Sequence, residues 1–210
     1  LPSVDETGFA PAAWIELGRS FMGDAAVGAL AQSKDAFATY LKRWPDGKDA
    51  SRVRRLTAEA CLAVGAFEEA LVALLAVAER TDASADDRAW ARMRRAETLR
   101  ALRRFDEAKT ALQEFLAQHP SHRDVPEAQR MLPSLVLDKA RVALEDKRRE
   151  DALKAYAEFV ETYPLDERAP LISLEIGHEL RRAGQFERAR DAYRDARERW
   201  RLAKVDVAAQ

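Results

Sequence analysis

The 210-residue sequence has one cysteine, only eight glycines and eight prolines, and no long apolar run. The single cysteine, Cys61, excludes an internal disulfide. The longest apolar stretch, Ala70 to Ala78, is too short to cross a bilayer. The net charge of -1 excludes a strong overall attraction to nucleic acid, and no such partner is expected.

Sequence motifs of catalysis and cofactor binding are also missing. There is no glycine-rich phosphate loop, no G-x-S-x-G and no H-E-x-x-H. His119, His122 and Asp124 flank Pro120 without a further ligand at a recognised spacing, so they are interpreted as structural or surface residues. Cys61 is interpreted as a small buried hydrophobe rather than a nucleophile. The sequence therefore predicts a non-enzymatic protein without a metal or cofactor.

The composition favours helices throughout. Hydrophobic residues make up 47% and charged residues 34% of the sequence, and both groups are rich in the helix formers Ala, Leu, Arg and Glu. Hairpin turns between alternating strands are not found. An all-α fold is predicted.

A recurring G-x-F-x-x-A motif, clearest at 65–70 and 184–189, indicates internal repeats. Five small residues mark the repeat at intervals of 37, 38, 44 and 37, namely Ser33, Ala70, Ala108, Ala152 and Ala189. We call these the anchor residues. The positions four residues later hold Phe37, Leu74, Leu112, Tyr156 and Tyr193, and those seven residues later hold Tyr40, Val77, Phe115, Phe159 and Ala196. This periodicity predicts stacked units.

Each repeat divides into two helical patterns joined by a short turn. The predicted repeats span about 10–45, 49–82, 85–120, 124–164 and 167–203, followed by an unpatterned, frayed tail at 204–210. The 44-residue interval contains Pro126 and Pro133. Pro126 suits the first turn of a helix, whereas Pro133 is expected to kink that helix or split it.

The sequence resembles tetratricopeptide repeat (TPR) proteins, whose first helix carries W-x2-L-G-x2-Y. Trp14, Leu17, Gly18 and Phe21 reproduce that spacing, with Phe in place of Tyr. The resemblance implies a right-handed superhelical solenoid of about five helix-turn-helix repeats, with first helices lining a concave face. The endings at 159–164 also resemble a bacterial cell-envelope branch, which includes outer-membrane assembly lipoproteins and the Tol–Pal-associated cell-division coordinator. That branch favours the periplasm or cell envelope over the cytoplasm.

In such a stack the small anchor residues receive bulky side chains from neighbouring helices. Phe67, Phe105 and Phe186 are expected to lie wedged under the turns. The substitution Phe105→Ala is therefore expected to destabilise the fold strongly.

Nine polar or aromatic residues are expected to project from the first helices into the concave groove. They are Arg19, Arg55, Trp90, Arg94, Glu97, Arg100, Arg141, His178 and Arg181. Their charges predict a positive lining suited to an acidic peptide or the C-terminus of a protein, because arginine pairs with carboxylates in a bidentate manner.

The main functional prediction is a protein–protein interaction scaffold in a bacterial multiprotein assembly. A second hypothesis is a regulatory or accessory domain cut from a larger enzyme or receptor. The start at Leu1 and the lack of a polar capping helix after Arg201 fit that hypothesis. Nucleic-acid binding is a third hypothesis, which the net charge disfavours.

Overall fold

A computed structural model describes residues 10–22 and 28–208, and within these ranges the protein forms ten α-helices and no strand. The helices are α1 (Pro11–Met22), α2 (Ala29–Arg43), α3 (Ala50–Ala63), α4 (Phe67–Ala78), α5 (Ala85–Ala101), α6 (Phe105–Gln118), α7 (Val125–Glu145), α8 (Arg149–Thr162), α9 (Ala169–Arg182) and α10 (Phe186–Ala208). The predicted all-α fold is confirmed. No helix in these ranges is both long and apolar enough to span a bilayer.

The described residues form two compact units, which are divided between residues 128 and 129. In the first unit consecutive helices pack against each other from α1 to α6, and α3 also contacts α1 and α5. In the second unit α8 packs on α9, and α9 packs on α10. The single continuous array expected from the sequence stays a prediction.

Two helices differ from the sequence expectations. Helix α7 runs without interruption through Pro133, so the alternative of a split helix is wrong, whereas the alternative of a kink stays a prediction. Proline removes one backbone hydrogen bond from the helix at this point. The burial of Pro133, Leu135 and Val136 stabilises the helix there in spite of that loss. Helix α10 continues to Ala208 and so includes most of the predicted tail, whereas residues 209 and 210 lie outside the described ranges.

The turns inside the hairpins require a left-handed residue. Gly65 and Gly184 have φ values of 73° and 74°, as the G-x-F motif predicts. Arg103 and Lys147 occupy the same place in other hairpins with φ of 60°. In one of these turns the Arg104 N–H donates to the carbonyl of Leu99 at 2.9 Å, which closes the helix end in the same manner as at the glycines.

Small residues on a first helix receive a large side chain from the second helix of the same hairpin. A methyl group added to Gly18 would lie 2.7 Å from Cδ1 of Phe37, and one added to Gly177 would lie 2.5 Å from Cδ1 of Tyr193. In the second hairpin the corresponding residues are Ala58 and Leu74, which pack in one core cluster. Alanine is larger than glycine and leucine is smaller than phenylalanine or tyrosine, so the two changes in size compensate each other. The anchor residues Ser33, Ala70, Ala108, Ala152 and Ala189 are also all buried.

The phenylalanines expected under the turns are not the buried rings of the protein. Phe186 is 69% exposed, and Phe67 and Phe105 are half-buried. Each is the first residue of its helix, at the edge of the hairpin, where few neighbours can cover the ring. The rings that are almost fully buried lie further along the second helices, at Phe37, Tyr40, Phe115 and Phe159.

The substitution Phe115→Ala should therefore reduce the free energy of unfolding by about 3–5 kcal/mol, because it leaves a cavity in a closed core. The matched variant Phe186→Ala should change it by less than about 1 kcal/mol, since most of that ring is in solvent. Phe105→Ala should fall between the two. Urea denaturation followed by circular dichroism measures all three, and equal losses for Phe115→Ala and Phe186→Ala would contradict the assignment.

Gly18→Ala should destabilise the protein by about 2 kcal/mol, because the ring of Phe37 is fully buried and cannot move aside. The double variant Gly18→Ala/Phe37→Leu should recover part of this loss, because it copies the pairing of Ala58 with Leu74. Gly177→Ala should cost less than Gly18→Ala, since Tyr193 is only half-buried. Thermal melting of the three variants measures these differences. A double variant less stable than Gly18→Ala alone would count against the size matching.

Candidate partner-binding surface

Arg55 lies at the centre of a polar cluster between the neighbouring helices α3 and α5. Its Nε donates to Oε1 of Glu59 at 3.0 Å, one turn along α3. Its Nη1 donates to Oδ1 of Asp87 on α5 at 2.6 Å. The guanidinium carbon also lies 4.4 Å from the ring centroid of Trp90, within the range of a cation–π contact. These partners hold the side chain from three directions.

Hydrogen bonding shifts the pKa values of Arg55 and Asp87 towards their charged forms although both side chains are partly buried. Burial alone would lower the pKa of Arg55, but the hydrogen bonds to Asp87 and Glu59 raise it above its ordinary value. Burial likewise acts to raise the pKa of Asp87, but hydrogen bonds from Arg55 and Ser84 outweigh it and lower the pKa. Ser84 also caps α5, because its Oγ accepts the Asp87 N–H at 3.0 Å. The helix start thus positions Asp87 towards α3.

Trp90, Arg94 and Glu97 follow at helical spacing on α5, so they share one face of that helix. Trp90 is 8% exposed, whereas 44% of the Arg94 side chain is accessible. Arg94 Nη1 donates to the carboxylate of Glu97. We call these three residues, together with Arg55 of the neighbouring α3, the α5 face. It combines arginines with a buried aromatic ring that supports Arg55, and tryptophan and arginine are both enriched among residues that dominate binding energy.

The remaining predicted residues of the first unit are arranged differently. Arg19 lies on α1 and pairs with Glu16 at 3.3 Å, on an exposed part of that helix. Arg100 is half-buried near the end of α5. Arg19, Arg55 and Arg94 each have a carboxylate partner of their own, so these three charges are compensated locally. The net positive lining expected from the sequence stays a prediction.

In the second unit His178 and Arg181 both lie beside Tyr193. The His178 ring meets the Tyr193 ring edge-on, with 5.6 Å between centroids. Arg181 and Tyr193 line one open groove between α9 and α10. Arg141 lies apart on α7, exposed, with its Nη2 donating to Asp138 at 2.9 Å.

The groove between α9 and α10 has a volume of about 470 Å³ and includes residues that the sequence reasoning did not select. Besides Arg181 and Tyr193 it is lined by Phe186, Arg190, Arg194 and Arg197. A signal was present, because Phe186, Arg190, Tyr193 and Arg197 are spaced four, three and four residues apart. That spacing places them on one face of a helix.

The two histidines that follow α6 pack against the edge of the hydrophobic core. The rings of His119 and His122 lie 5.7 and 5.6 Å from that of Phe115. Burial, and secondarily Arg92, lowers the pKa of His119. His122 Nδ1 accepts the backbone N–H of Asp124 at 3.2 Å.

Cys61 is buried, which raises the pKa of its thiol. Among the described residues, no group of three or more potential ligands is arranged to hold a metal.

Two family models, both described as tetratricopeptide repeat, match this sequence. One matches residues 90–122, and the other matches residues 22–87 and 174–210. The chain belongs to the tetratricopeptide repeat family. The α5 face thus lies largely within matched TPR segments, as does the groove between α9 and α10.

Solved structures are similar to this TPR protein in fold. A TPR repeats protein from Bacteroides fragilis has a TM-score of 0.55 at 12% identity, over 90% of this chain and 88% of that one. MamA from Desulfovibrio magneticus RS-1 has a TM-score of 0.42 at 13% identity, over 94% and 97% of the two chains. No curated protein sequence matches at a significant level. The all-α repeat solenoid is confirmed, whereas the narrower cell-envelope resemblance gains no support.

The variant Arg55→Met should lower the free energy of unfolding by about 1 kcal/mol at neutral pH, because it removes the charged hydrogen bonds while keeping an apolar contact with Trp90. The pKa of Asp87 is lowered in the folded state. Its contribution to the free energy of unfolding is therefore complete above the ordinary aspartate pKa of about 3.9, and it is lost as the pH falls through the lowered value. The difference from the parent should therefore shrink in acid. Denaturant titrations from pH 7 to pH 3 measure it.

Arg19→Met provides the control, because the exposed Arg19–Glu16 pair should contribute less than about 0.5 kcal/mol. A difference between Arg55→Met and the parent that stays constant down to pH 3 would contradict the role assigned to Asp87.

Proposed function

We propose that this TPR protein is a non-enzymatic scaffold that binds a segment of a protein partner on the face formed by its first helices. The observation that supports it most is Arg55 stacked on Trp90 and held by Glu59 and Asp87. These side chains are already ordered before any partner arrives, so binding costs little additional side-chain entropy.

The chemistry of the α5 face favours an acidic segment or a protein C-terminus as the partner. Arg94 is paired with a carboxylate of the protein itself, and the pair lies at the surface. A partner carboxylate can replace or share that contact with the same planar hydrogen-bonding geometry. The neighbouring Trp90 is buried and supports the Arg55 side chain that lies over its ring.

The other first-helix residues would extend this contact surface within their own units. In the first unit these are Arg19 and Arg100, and in the second they are Arg141, His178 and Arg181. We also propose that the assembly is bacterial and lies in the cell envelope, a proposal that rests only on the endings at 159–164. A regulatory or accessory domain of a larger enzyme or receptor is the second candidate, supported by the exposure of Leu171 and Phe186 on the last hairpin.

The test begins by cross-linking the protein to its partner in extracts of the source cells and identifying the cross-linked segment by mass spectrometry. A synthetic peptide of that segment is then titrated against the parent and against Arg94→Glu by isothermal calorimetry. We expect Arg94→Glu to weaken binding by about tenfold, because it places a carboxylate opposite an acidic partner.

Arg123→Glu is the matched control, since Arg123 is 73% exposed and lies in the loop before α7. It makes the same change of charge and should leave the dissociation constant within about twofold. Circular dichroism establishes that both variants fold. Equal affinities for Arg94→Glu and the parent would exclude the α5 face as the binding surface.

A further inference from the structure

One face of α10 alternates aromatic and basic residues. Phe186, Arg190, Tyr193, Arg197 and Trp200 are spaced four, three, four and three residues apart, so they form one stripe about 21 Å long. We call them the α10 stripe. Phe186 and Trp200, at its two ends, are 69% and 37% exposed. In the described part of the protein, the structure shows only α9 packed along α10.

Two of the arginines at this groove, Arg181 and Arg197, make no ion pair among the described residues, although both line the groove beside Tyr193. Arg197 lies near Glu198, whose pKa is lowered by Arg201 and, to a lesser extent, by Arg197. Arg190 pairs with Glu187 at 2.6 Å, and Arg194 lies 3.6 Å from Asp191. The groove therefore keeps a net positive charge next to apolar rings, unlike the α5 face.

Two other hairpins show which residues pack against an aromatic ring at the position of Trp200. Trp200 stands eleven residues after its anchor residue, the position that Trp44 and Tyr163 hold in the first and fourth repeats. Trp44 packs in a core cluster with Ala50 and Val53 of the following first helix, α3. Tyr163 packs in a cluster with Ala169 of the following first helix, α9. In the first and fourth repeats the aromatic ring at this position, on the C-cap residue of its helix, thus packs against the next helix, whereas Trp200 lies within α10.

The structure also shows how charges are paired between two packed helices. Arg149, at the start of α8, donates from Nε to Oε2 of Glu179 on α9 at 2.9 Å. Glu179 is only 4% exposed, so the helix that covers α8 contributes a buried carboxylate to it. A helix lying on α10 would meet four arginines at the groove, which would require carboxylates on its contact face.

We propose that the α10 stripe binds an amphipathic α-helix of a partner protein whose contact face carries carboxylates among apolar side chains. The apolar residues of that helix lie on Phe186, Tyr193 and Trp200, and its carboxylates pair with Arg181 and Arg197. A helix is favoured over single-stranded nucleic acid because the equivalent rings, Trp44 and Tyr163, pack against helices. This surface is separate from the α5 face and does not depend on the proposed function.

The experiment selects binders from a displayed library of single helices with one randomised face, using the full 210-residue protein as the target. Counter-selection uses the double variant Arg181→Glu/Arg197→Glu, in which the two unpaired arginines are reversed. We expect Asp and Glu to be enriched at the randomised positions, interspersed with large apolar residues.

A selected peptide is then synthesised and its dissociation constant is measured by fluorescence anisotropy. Arg181→Glu/Arg197→Glu should weaken binding by about tenfold or more, and Trp200→Ser by about fivefold. Replacing the peptide's Glu residues by Gln should cause a loss similar to that of the double arginine variant. Because the substituted side chains are exposed or partly exposed, circular dichroism should show folded variants.

Arg123→Glu is the control, because it makes the same change of charge in the loop before α7, outside both proposed surfaces, and it should leave peptide binding within about twofold. The proposal is overturned if no helix is selected, or if the selected helices lack acidic residues or bind the double variant equally well. It is also overturned if a single-stranded oligonucleotide binds the groove more tightly than the peptide does. A parent dimer that Arg197→Glu dissociates would overturn it in favour of a second copy of this protein.

Discussion

The architecture depends on the fit between a small residue on the first helix of a hairpin and a large side chain on the second. At Gly18 the Phe37 ring occupies the space that a β-carbon would need, which lets the two helices approach closely. In the second hairpin Ala58 and Leu74 occupy the corresponding places. Because the interior of a protein is close-packed, the two sizes must change together. The repeat can therefore tolerate sequence drift while the helix spacing is kept.

Two kinds of arginine surface result from this framework. On the α5 face, Arg55 has two carboxylate partners and an aromatic ring, so its charge is compensated and its geometry is held. In the groove between α9 and α10, Arg181 and Arg197 line the surface and make no ion pair among the described residues. The first surface is suited to precise contacts with an ordered partner. The second also supplies net positive charge, which favours an acidic partner.

Several features follow from the residues and their spacing alone. The anchor residues Ala70 and Ala108 predicted buried contact points, because small residues at a fixed interval indicate close helix packing, and both are buried. Gly65 and Gly184 predicted the turns, because glycine readily adopts positive φ. Periodicity did not distinguish Phe105 from Phe115. Both are apolar and at helical positions, and only the position along the hairpin decides how many neighbours cover each ring.

The sequence by itself determined the helical hairpins, their order and the family, because these follow from local spacing and turn chemistry. The tertiary structure alone decided which charges are compensated. Arg55 meets Asp87 only because α3 and α5 lie side by side, a contact between residues 32 positions apart in sequence. It also decided that Phe186 is exposed and that α7 continues through Pro133. Burial and ion pairing depend on neighbours distant in sequence, and no local pattern specifies them.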